Sequence, residues 1–501
     1  MMNNIYRKTR IFVAFAILGF GAVSCLDKYP QSAIPESEAM KTFSDAEQLV
    51  TGIYASFKSS ALYGGRLTIL PDIQADLVYA MNGFSNSYGK IWQWDIKSTD
   101  SDIEAVFGNL YYVIGKCNFY LDQIDAVKAS ITDDESLEYL DYYTGEVYCA
   151  RALAYSELLK LFCKAYDPAM AATERGLVLT DTYFGEKPSS RASLKDSYQF
   201  VLDDLAKAEE MLKEENDGYN SYYFTNAAAK AIHARVALYM QDWDTAVKYS
   251  TDLIENDVFK LADGSASFSS DYTFLEYMWR YDSSYEIIWR VGYTTTSYGG
   301  ALGSVFLHYN GYGYYYPDYV PAQWVLNLFG SSDNRYSAYF SSELPVGYTY
   351  SLSTPLLTKF YGNPNFSAIR LYHYNMPKPL RLAEQYLIRA EAYCRQATPN
   401  YSAASKDLTA LRSKRNTTGS GSTSVNEGNW QEVIEEERVR ELYMEGFRLQ
   451  DLKRWNKGFE RKPQTESLAE GSSLKVTADN PLFIWPIPQH EVEAPGSPYA
   501  E

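Results

Sequence analysis

The C-terminal part of the chain carries the clearest helical periodicity. Between residues 430 and 455, apolar residues and one glycine recur at steps of three and four: Val439, Leu442, Tyr443, Gly446, Leu449 and Leu452. This spacing predicts a single helix whose apolar stripe is covered by other helices. Because glycine is unfavourable inside a helix, Gly446 predicts that another helix approaches the backbone there. The opposite face, with pairs such as Glu436 and Arg440, is expected to be solvated.

Similar periodicity predicts helices through most of the chain. They cover residues 45–57, 103–124, 137–162 and 194–212, the last introduced by Ser193 as a candidate cap. Residues 226–255 resemble a tetratricopeptide helix pair that breaks at Gln241 and Asp242, and residues 380–395 with 401–415 predict a second pair. The expected fold class is therefore mainly α, with tetratricopeptide-like helix pairs forming a scaffold, long aromatic-rich loops and a few short strands.

The middle of the chain has a different composition. Residues 264–377 are dense in Tyr, Ser, Gly and Asn and contain short extended candidates such as residues 286–291. We expect long loops with short strands and helices, mounted on the helical scaffold. Loops of this kind usually carry binding function.

The N-terminus is typical of an export signal. Arg7, Lys8 and Arg10 form a basic start, residues 11–21 an apolar core, and Ala-Val-Ser at residues 22–24 precedes Cys25. This order predicts a signal peptide over residues 1–24. Two interpretations of Cys25 stay open: a bacterial lipoprotein acylated on Cys25, or a plain secretory signal followed by an incidental cysteine. No other apolar run approaches the ~18 residues of a membrane span.

The net charge narrows the classes of ligand that the protein could bind. The formal net charge is −17, and loss of residues 1–24 would remove three basic side chains and bring it to −20. A chain this acidic is a poor candidate for binding nucleic acid, which needs a basic patch.

The four cysteines beyond Cys25 have apolar helical neighbours and are expected to be buried free thiols; they are Cys117, Cys149, Cys163 and Cys394. No Cys/His spacing predicts a metal site, and no cofactor is expected.

Tyrosine is the outstanding excess, with 46 Tyr against 23 Phe. A ring with a hydroxyl suits surfaces that are both flat and able to hydrogen-bond, as sugar rings require. Two stretches fit a sugar-binding cleft, and alternation would place Trp92 and Trp94 on the same face of a strand. The candidate ligand-binding residues are Asn82, Phe84, Tyr88, Trp92 and Trp94 in the first stretch, and Tyr298, Tyr312, Tyr314, Tyr316 and Trp324 in the second. Packing is the alternative role for each aromatic residue.

The sequence contains none of the common catalytic motifs. HExxH, G-x-S-x-G, the phosphate-binding P-loop and the EF-hand loop are missing, and the four histidines are scattered. The 63 acidic residues leave a glycosidase carboxylate pair open, although no pair stands out. We therefore expect a binding protein and not an enzyme.

Four stretches resemble the SusD/RagB family of outer-membrane lipoproteins. The pattern I-x-x-E-R-x-x-E-L-x-x-E-G-x-R-x-x-D-L-x-R-W fits residues 434–455, and RLAEQYLIRAEAY at 381–393 and PLFIWPIPQHEVEA at 481–494 fit two further stretches. The start CLDKYP at residues 25–30 resembles the C-x-D-x-x-P of this family, which favours lipidation of Cys25. These stretches occur in the expected order and span essentially the whole chain.

The resemblance implies a division of the chain. A lipoprotein signal peptide would cover residues 1–24, and a single body residues 25–501. That body would comprise an N-terminal helical region at 25–260, a loop-rich ligand region at 261–379 and a C-terminal helical region at 380–501. In this family the glycan site is formed by loops from the two aromatic stretches named above.

The resemblance also implies a function. A cell-surface protein, lipid-anchored to the outer membrane at Cys25 and facing the exterior, would capture an oligosaccharide and pass it to a SusC-like TonB-dependent transporter. Two other classes stay open: a secreted glycoside hydrolase with an unrecognised carboxylate pair, and a peptide-binding RagB-like lipoprotein.

Overall fold

The computed structural model describes residues 39–81, 86–186, 188–309, 311–347, 354–461 and 474–500. Within them the protein is mainly helical, with short two-stranded sheets. The helices are α1 Phe43–Phe57, α2 Arg66–Gln74, α3 Gly89–Trp92, α4 Ser101–Ser130, α5 Asp134–Phe162, α6 Leu194–Met211, α7 Asn226–Met240, α8 Trp243–Ile254, α9 Phe274–Tyr281, α10 Gln323–Leu326, α11 Arg335–Tyr339, α12 Pro364–Ser367, α13 Leu382–Arg395, α14 Tyr401–Ser413, α15 Trp430–Glu441, α16 Arg448–Arg454 and α17 Gln489–Glu493. The strands are β1 Val78–Ala80, β2 Ile287–Trp289, β3 Tyr319–Pro321, β4 Phe340–Ser341, β5 Leu356–Leu357, β6 Leu380–Arg381, β7 Phe459–Glu460 and β8 Lys475–Val476.

The scaffold consists of helices that pack on their neighbours in sequence. Helix α5 packs on α4 and α6, α7 on α8, and α13 on both α8 and α14. Two predicted boundaries are confirmed by cap geometry: Ser193 accepts a hydrogen bond from Asp196 N, and Asp242 accepts one from Thr245 N. Gln241 between α7 and α8 has a left-handed backbone with φ 63°, which turns the chain into the second helix of the pair. The predicted mainly α fold with tetratricopeptide-like pairs is confirmed.

The single helix predicted over residues 430–455 is wrong, because the chain forms two helices, α15 and α16. Gly446 lies between them with φ +86°, a conformation that favours glycine. A Cβ on Gly446 would stand 2.9 Å from the Thr68 carbonyl oxygen in α2, so the expected close approach of another helix is present. Asp72 of α2 accepts hydrogen bonds from the amides of Gly446 and Arg448 and so caps α16 from a distant part of the chain.

The charged face of α15 is not solvated as expected. The side chains of Glu437 and Glu441 are fully buried. Arg335 pairs with both carboxylates, and Glu441 also pairs with two further arginines, Arg381 and Arg415. Burial opposes ionisation of Glu441, but these guanidinium groups outweigh it and hold the pKa of Glu441 well below its usual range. The arginines come from three other parts of the chain, so this ionic cluster ties the loop-rich region to the helical scaffold.

Four antiparallel two-stranded sheets position the loops of the middle region. The pairs are β1 with β3, β2 with β6, β4 with β5, and β7 with β8. Strand β2 lies inside the extended segment predicted at residues 286–291, and its pairing with β6 fixes that segment beside α13. The β1–β3 and β2–β6 sheets connect segments that are far apart in sequence and so hold the loops of the middle region in place. The β4–β5 and β7–β8 sheets pair segments that lie close together in sequence.

The four described cysteines have the state that the sequence predicts. All four are buried and free; they are Cys117, Cys149, Cys163 and Cys394. Cys25 and the export signal lie outside the described residues. No helix in the described part of the chain is long and apolar enough to cross a membrane.

Candidate functional site

The two aromatic stretches meet where β1 pairs with β3. Val78 lies opposite Pro321, and Met81 N donates to the Asp318 carbonyl oxygen at 2.9 Å. Ser87 N donates to the Asp318 carboxylate at 3.3 Å, and the Tyr319 hydroxyl donates to the Ser87 carbonyl oxygen at 2.6 Å. The loops that follow β1 and precede β3 therefore share one region of the surface. Two predicted ligand residues of the first loop, Asn82 and Phe84, lie outside the described residues.

The prediction that Trp92 and Trp94 face a ligand is wrong. Residues 89–92 form the short helix α3 and not a strand, so alternation does not apply. Trp92 is fully buried, and its indole N–H donates to the Val78 carbonyl oxygen at 3.2 Å. Trp94 is only 7% exposed and donates to the Gln74 carbonyl oxygen at 2.6 Å. Both indoles fill the core because each finds an apolar site together with a carbonyl acceptor for its N–H group.

Two further predicted residues are half-buried. Tyr88 has a left-handed backbone with φ 62° immediately before α3, and burial raises the pKa of its hydroxyl. Trp324 donates its indole N–H to the Asp76 carbonyl oxygen at 2.7 Å, and the Arg448 guanidinium lies 5.4 Å from its ring. Trp324 lines a groove of about 560 Å³ that also includes Trp430. These contacts give Trp324 a packing role beside α16.

Three of the four remaining predicted residues, Tyr312, Tyr314 and Tyr316, belong to a tyrosine-rich hairpin whose described residues are 308–309 and 311–316. Its arms are joined by a hydrogen bond from Tyr316 N to the His308 carbonyl oxygen at 2.7 Å and by pairing of Tyr309 with Tyr315. Gly311 and Gly313 have φ of +80° and +97° with nothing near their Cβ positions, so backbone conformation alone requires glycine at the tip. The alternation of glycine and tyrosine places large rings on a tight turn.

The hairpin presents its rings to solvent. Tyr312 is 88% exposed, and Tyr309 and Tyr314 are each 48% exposed. Tyr316 is half-buried, and its ring lies against the backbone of Gly347, where a Cβ would approach the ring to 2.3 Å. The hairpin is therefore anchored by Tyr316 at its base and displays three tyrosines around its tip.

Three ring contacts, one hydrogen bond between hydroxyl groups and the peptide bond between His373 and Tyr374 connect the hairpin with Tyr298. We call this set of residues the aromatic row, and its members are Tyr298, Tyr374, His373, Tyr361, Tyr315 and Tyr309. The ring centroids of Tyr298 and Tyr374 are 5.3 Å apart, those of His373 and Tyr361 6.2 Å, and those of Tyr315 and Tyr309 5.2 Å. The hydroxyl groups of Tyr315 and Tyr361 hydrogen-bond at 3.2 Å. The row thus links three segments that are separate in sequence.

Close backbone approaches fix the end of the row that carries Tyr298. A Cβ on Gly299 would stand 1.9 Å from the Lys58 carbonyl oxygen, and one on Gly300 would stand 2.2 Å from the Gly64 carbonyl oxygen. The Lys58 ammonium donates to the Ser297 hydroxyl at 3.1 Å. The segment on both sides of Tyr298 is therefore held against the chain that follows α1, and Tyr298 itself is 42% exposed.

The sequence indicated the two ends of the aromatic row and did not indicate its middle. Tyr309 and Tyr315 lie inside the predicted stretch and were detectable from the same tyrosine density. Three other members of the row, Tyr361, His373 and Tyr374, come from a segment that carried no separate signal, because only the folded chain brings it beside the hairpin. Burial lowers the pKa of His373, so its imidazole is neutral at pH 7.

The hairpin and the aromatic row present rings and neutral hydrogen-bonding groups. Phenol rings supply flat faces, while hydroxyls and backbone amides supply donors and acceptors. Among the described residues, no group of three or more His, Cys, Asp or Glu side chains is placed to hold a metal ion. The arrangement can stack on a ligand and hydrogen-bond with it.

Comparison with known families matches most of the chain. Residues 25–238 match a family model described as "Starch-binding associating with outer membrane", and residues 333–496 match one described as "SusD family". Neither description names a catalytic activity. SusD-like protein P2 of Formosa agariphila is 24% identical over 489 residues, which cover 89% of this chain and 91% of that protein.

Solved structures share the fold. A SusD superfamily protein from Bacteroides thetaiotaomicron has a TM-score of 0.77 at 23% identity, covering 91% of this chain and 98% of the other. A crystal structure described as a putative sugar binding protein from Bacteroides vulgatus has a TM-score of 0.73 at 22% identity, covering 92% of this chain and 98% of the other. At this identity the structural likeness concerns the fold.

Proposed function

Because the chain belongs to the SusD/RagB family, we propose that it is a cell-surface lipoprotein that captures oligosaccharides and passes them to a SusC-like TonB-dependent transporter. The observation that carries the proposal is the tyrosine-rich hairpin, where Tyr312 is 88% exposed between two half-exposed tyrosines. Several exposed rings close together form a contiguous patch, and such patches often mark interaction sites. Sugar rings suit such a surface because their C–H faces stack on phenol rings.

The aromatic row extends this surface. Successive sugar units of a chain present repeated flat faces, and a row of neighbouring rings offers repeated stacking positions. The row joins the hairpin to Tyr298, so a glycan could contact tyrosines at both ends. Stacking would align the glycan, and hydroxyl and amide groups would select it by hydrogen bonds.

Delivery requires the protein to stay at the outer membrane. The sequence supports an acylated Cys25, because a short apolar segment and Ala-Val-Ser precede it. Acyl chains bind a bilayer at ~0.8 kcal/mol per buried methylene, so several chains on one cysteine would hold the protein firmly. In this proposal the helix pairs face the transporter, and motion about the anchored end admits the ligand.

Affinity gel electrophoresis tests ligand capture. The protein lacking residues 1–24 is run in native gels containing one polysaccharide each, over a panel of plant, algal and host glycans. We expect retardation by at least one polymer, and we expect Tyr312→Ala to reduce it. Tyr139→Ala is the matched control, because Tyr139 is 52% exposed on α5 and belongs neither to the hairpin nor to the row. Equal retardation of both variants would move the site elsewhere, and retention of peptides with no glycan would favour a peptide ligand.

Membrane fractionation tests the anchor. The full-length protein is expected in the outer-membrane fraction, and Cys25→Ala is expected to leave it. Transporter delivery is tested by co-purification with a barrel transporter from the outer membrane of the native organism. Recovery of the protein alone, from a detergent extract that keeps such transporters intact, would contradict delivery.

A further inference from the structure

The segments that build the proposed site contain no charged side chain. In the segments 77–89, 291–317, 344–358 and 371–377, none of the residues that the structure describes, which exclude 82–85, 310 and 348–353, is Asp, Glu, Lys or Arg. In a chain with 22% charged residues, the 27 residues at 291–317 alone would be expected to carry about six. These four segments include the whole hairpin and every member of the aromatic row except Tyr361, which lies in a fifth uncharged segment at 360–369.

Three of the charges that flank these segments form ion pairs inside the protein. Lys359 is fully buried and pairs with Glu445 at 2.7 Å, and Lys378 pairs with Asp282 at 2.6 Å with only 1% of its side chain exposed. Asp76 pairs with Arg448 at 2.7 Å. These side chains stabilise the core and are not available to a ligand.

The cations nearest the aromatic row are also engaged. The Arg280 guanidinium lies 4.6 Å from the Tyr361 ring and donates to the Gly362 carbonyl oxygen at 2.9 Å. Lys58 donates to Ser297 as described above. Exposed charges among the described residues that border the site lie at the segment ends and have mixed signs: Lys90, Glu343 and Arg370. The half-buried Asp318 carboxylate, which accepts from Ser87 N, adds a further negative charge. No bidentate arginine pair faces the hairpin among these described residues, although such pairs are the usual means of binding carboxylate or sulfate groups.

We infer that the site takes a neutral glycan, built of uncharged sugars and free of uronic acid and sulfate groups. The inference rests on the proposed function and narrows its substrate class. A polyanion would meet a chain of net charge −17 at a surface that offers it few cations, so both long-range and contact electrostatics would oppose binding. A neutral glycan meets no electrostatic repulsion at such a surface, because it binds through stacking and neutral hydrogen bonds alone. Binding should therefore be almost independent of salt.

Matched polymer pairs test the inference. Native gels contain either dextran or dextran sulfate, either methyl-esterified or de-esterified pectin, and either a neutral β-glucan or its carboxymethyl derivative, together with uncharged xylans, mannans and starch. Dissociation constants are measured at 50 and 500 mM NaCl for every polymer that retards the protein. We expect retardation by neutral polymers only, with less than about a twofold change in Kd between the two salt concentrations.

Charge-neutralising variants test whether the exposed cations contribute to glycan binding. Arg370→Gln and Lys90→Gln remove the exposed cations at the segment ends and are expected to leave Kd for the neutral polymer within about twofold. Binding of anionic polymers only, with affinity lost about tenfold in 500 mM NaCl and in Arg370→Gln, would overturn the inference while the proposed glycan capture stands. Retardation by no polymer at all, charged or uncharged, would overturn the proposed function and the inference together.

Discussion

The indole N–H of Trp455 donates to the Glu391 carboxylate at 2.8 Å. The two residues belong to two of the stretches that resemble the family pattern, one in α13 and one just after α16. The same carboxylate accepts two hydrogen bonds from Arg454 and one from Arg395, and it is fully buried. The two stretches therefore form one buried ionic contact that joins α16 to α13.

Loss of this contact should destabilise the protein strongly. Glu391→Gln removes the negative charge from a buried site and leaves Arg454 without its main partner, so the free energy of unfolding should fall by about 3 kcal/mol. Urea denaturation followed by circular dichroism measures the change. Glu436→Gln is the matched control, because Glu436 is a partly exposed partner of Arg440 and should cost less than about 0.5 kcal/mol. Equal effects of the two variants would contradict this account.

The Glu391 carboxylate should also make the folded protein less stable in acid. Burial favours the neutral form of Glu391, but Arg454 and Arg395 outweigh burial and lower its pKa from 4.5 to about 2. A lowered pKa contributes stability that is fully present above about pH 4.5 and is lost as the pH falls from there towards 2. Urea midpoints between pH 6 and pH 3 should therefore fall more steeply for the native sequence than for Glu391→Gln. Parallel curves would exclude Glu391 as a source of the acid sensitivity.

The buried carboxyl group of Glu146 should make the stability of the protein depend on pH in the opposite direction. It is buried in α5, its Oε2 atom has no hydrogen-bond partner among the described residues, and burial raises its pKa well above the usual 4.5. Because the folded state holds the proton more tightly, this contribution to stability is complete below about pH 4.5 and is lost as the pH rises. Glu146→Gln removes the titration and should raise the free energy of unfolding at pH 8 by at least about 1 kcal/mol. A lower urea midpoint for Glu146→Gln at pH 8 would contradict the prediction.

Gly446 should tolerate no side chain. Its φ of +86° strains any other residue, and a Cβ would stand 2.9 Å from the Thr68 carbonyl oxygen. Gly446→Ala should therefore lower the free energy of unfolding by about 2 kcal/mol or more. Gly108→Ala is the matched control in the middle of α4, where nothing lies within 4 Å of the Cβ position. There alanine should stabilise the helix by about 0.5 to 1 kcal/mol, so the two variants should change the melting temperature in opposite directions.

The sequence predicted those features that depend on local patterns. The Ser193 cap and the break at Gln241 and Asp242 follow from residues that lie next to one another, so the helix pairs could be predicted. The interruption at Gly446 could not, because it is set by α2, which contacts the chain there from more than 370 residues away. The burial of charge on α15 could not be predicted for the same reason, since Arg335, the partner of Glu437, is 102 positions earlier.

The strand predicted at Trp92 and Trp94 is wrong because it rested on too short a pattern. Trp92 and Trp94 are two positions apart, and a single interval of two cannot distinguish a strand from a helical turn. The hairpin was predicted correctly as an aromatic loop because its tyrosines and glycines form a long and unusual run. Its connection to Tyr361, His373 and Tyr374 depends on tertiary contacts and became visible only in the folded chain.

Calorimetric titration of the tyrosine surface tests the central claim most directly. The glycan that retards the protein most strongly is titrated into the native sequence, into the double variant Tyr298→Ala/Tyr312→Ala and into Tyr139→Ala, after circular dichroism has shown equal melting temperatures. Each stacking ring contributes on the order of 1.4 kcal/mol, which is tenfold in affinity, so the double variant should bind about 100-fold more weakly and Tyr139→Ala as the native sequence does. An unchanged Kd in the double variant would contradict the account.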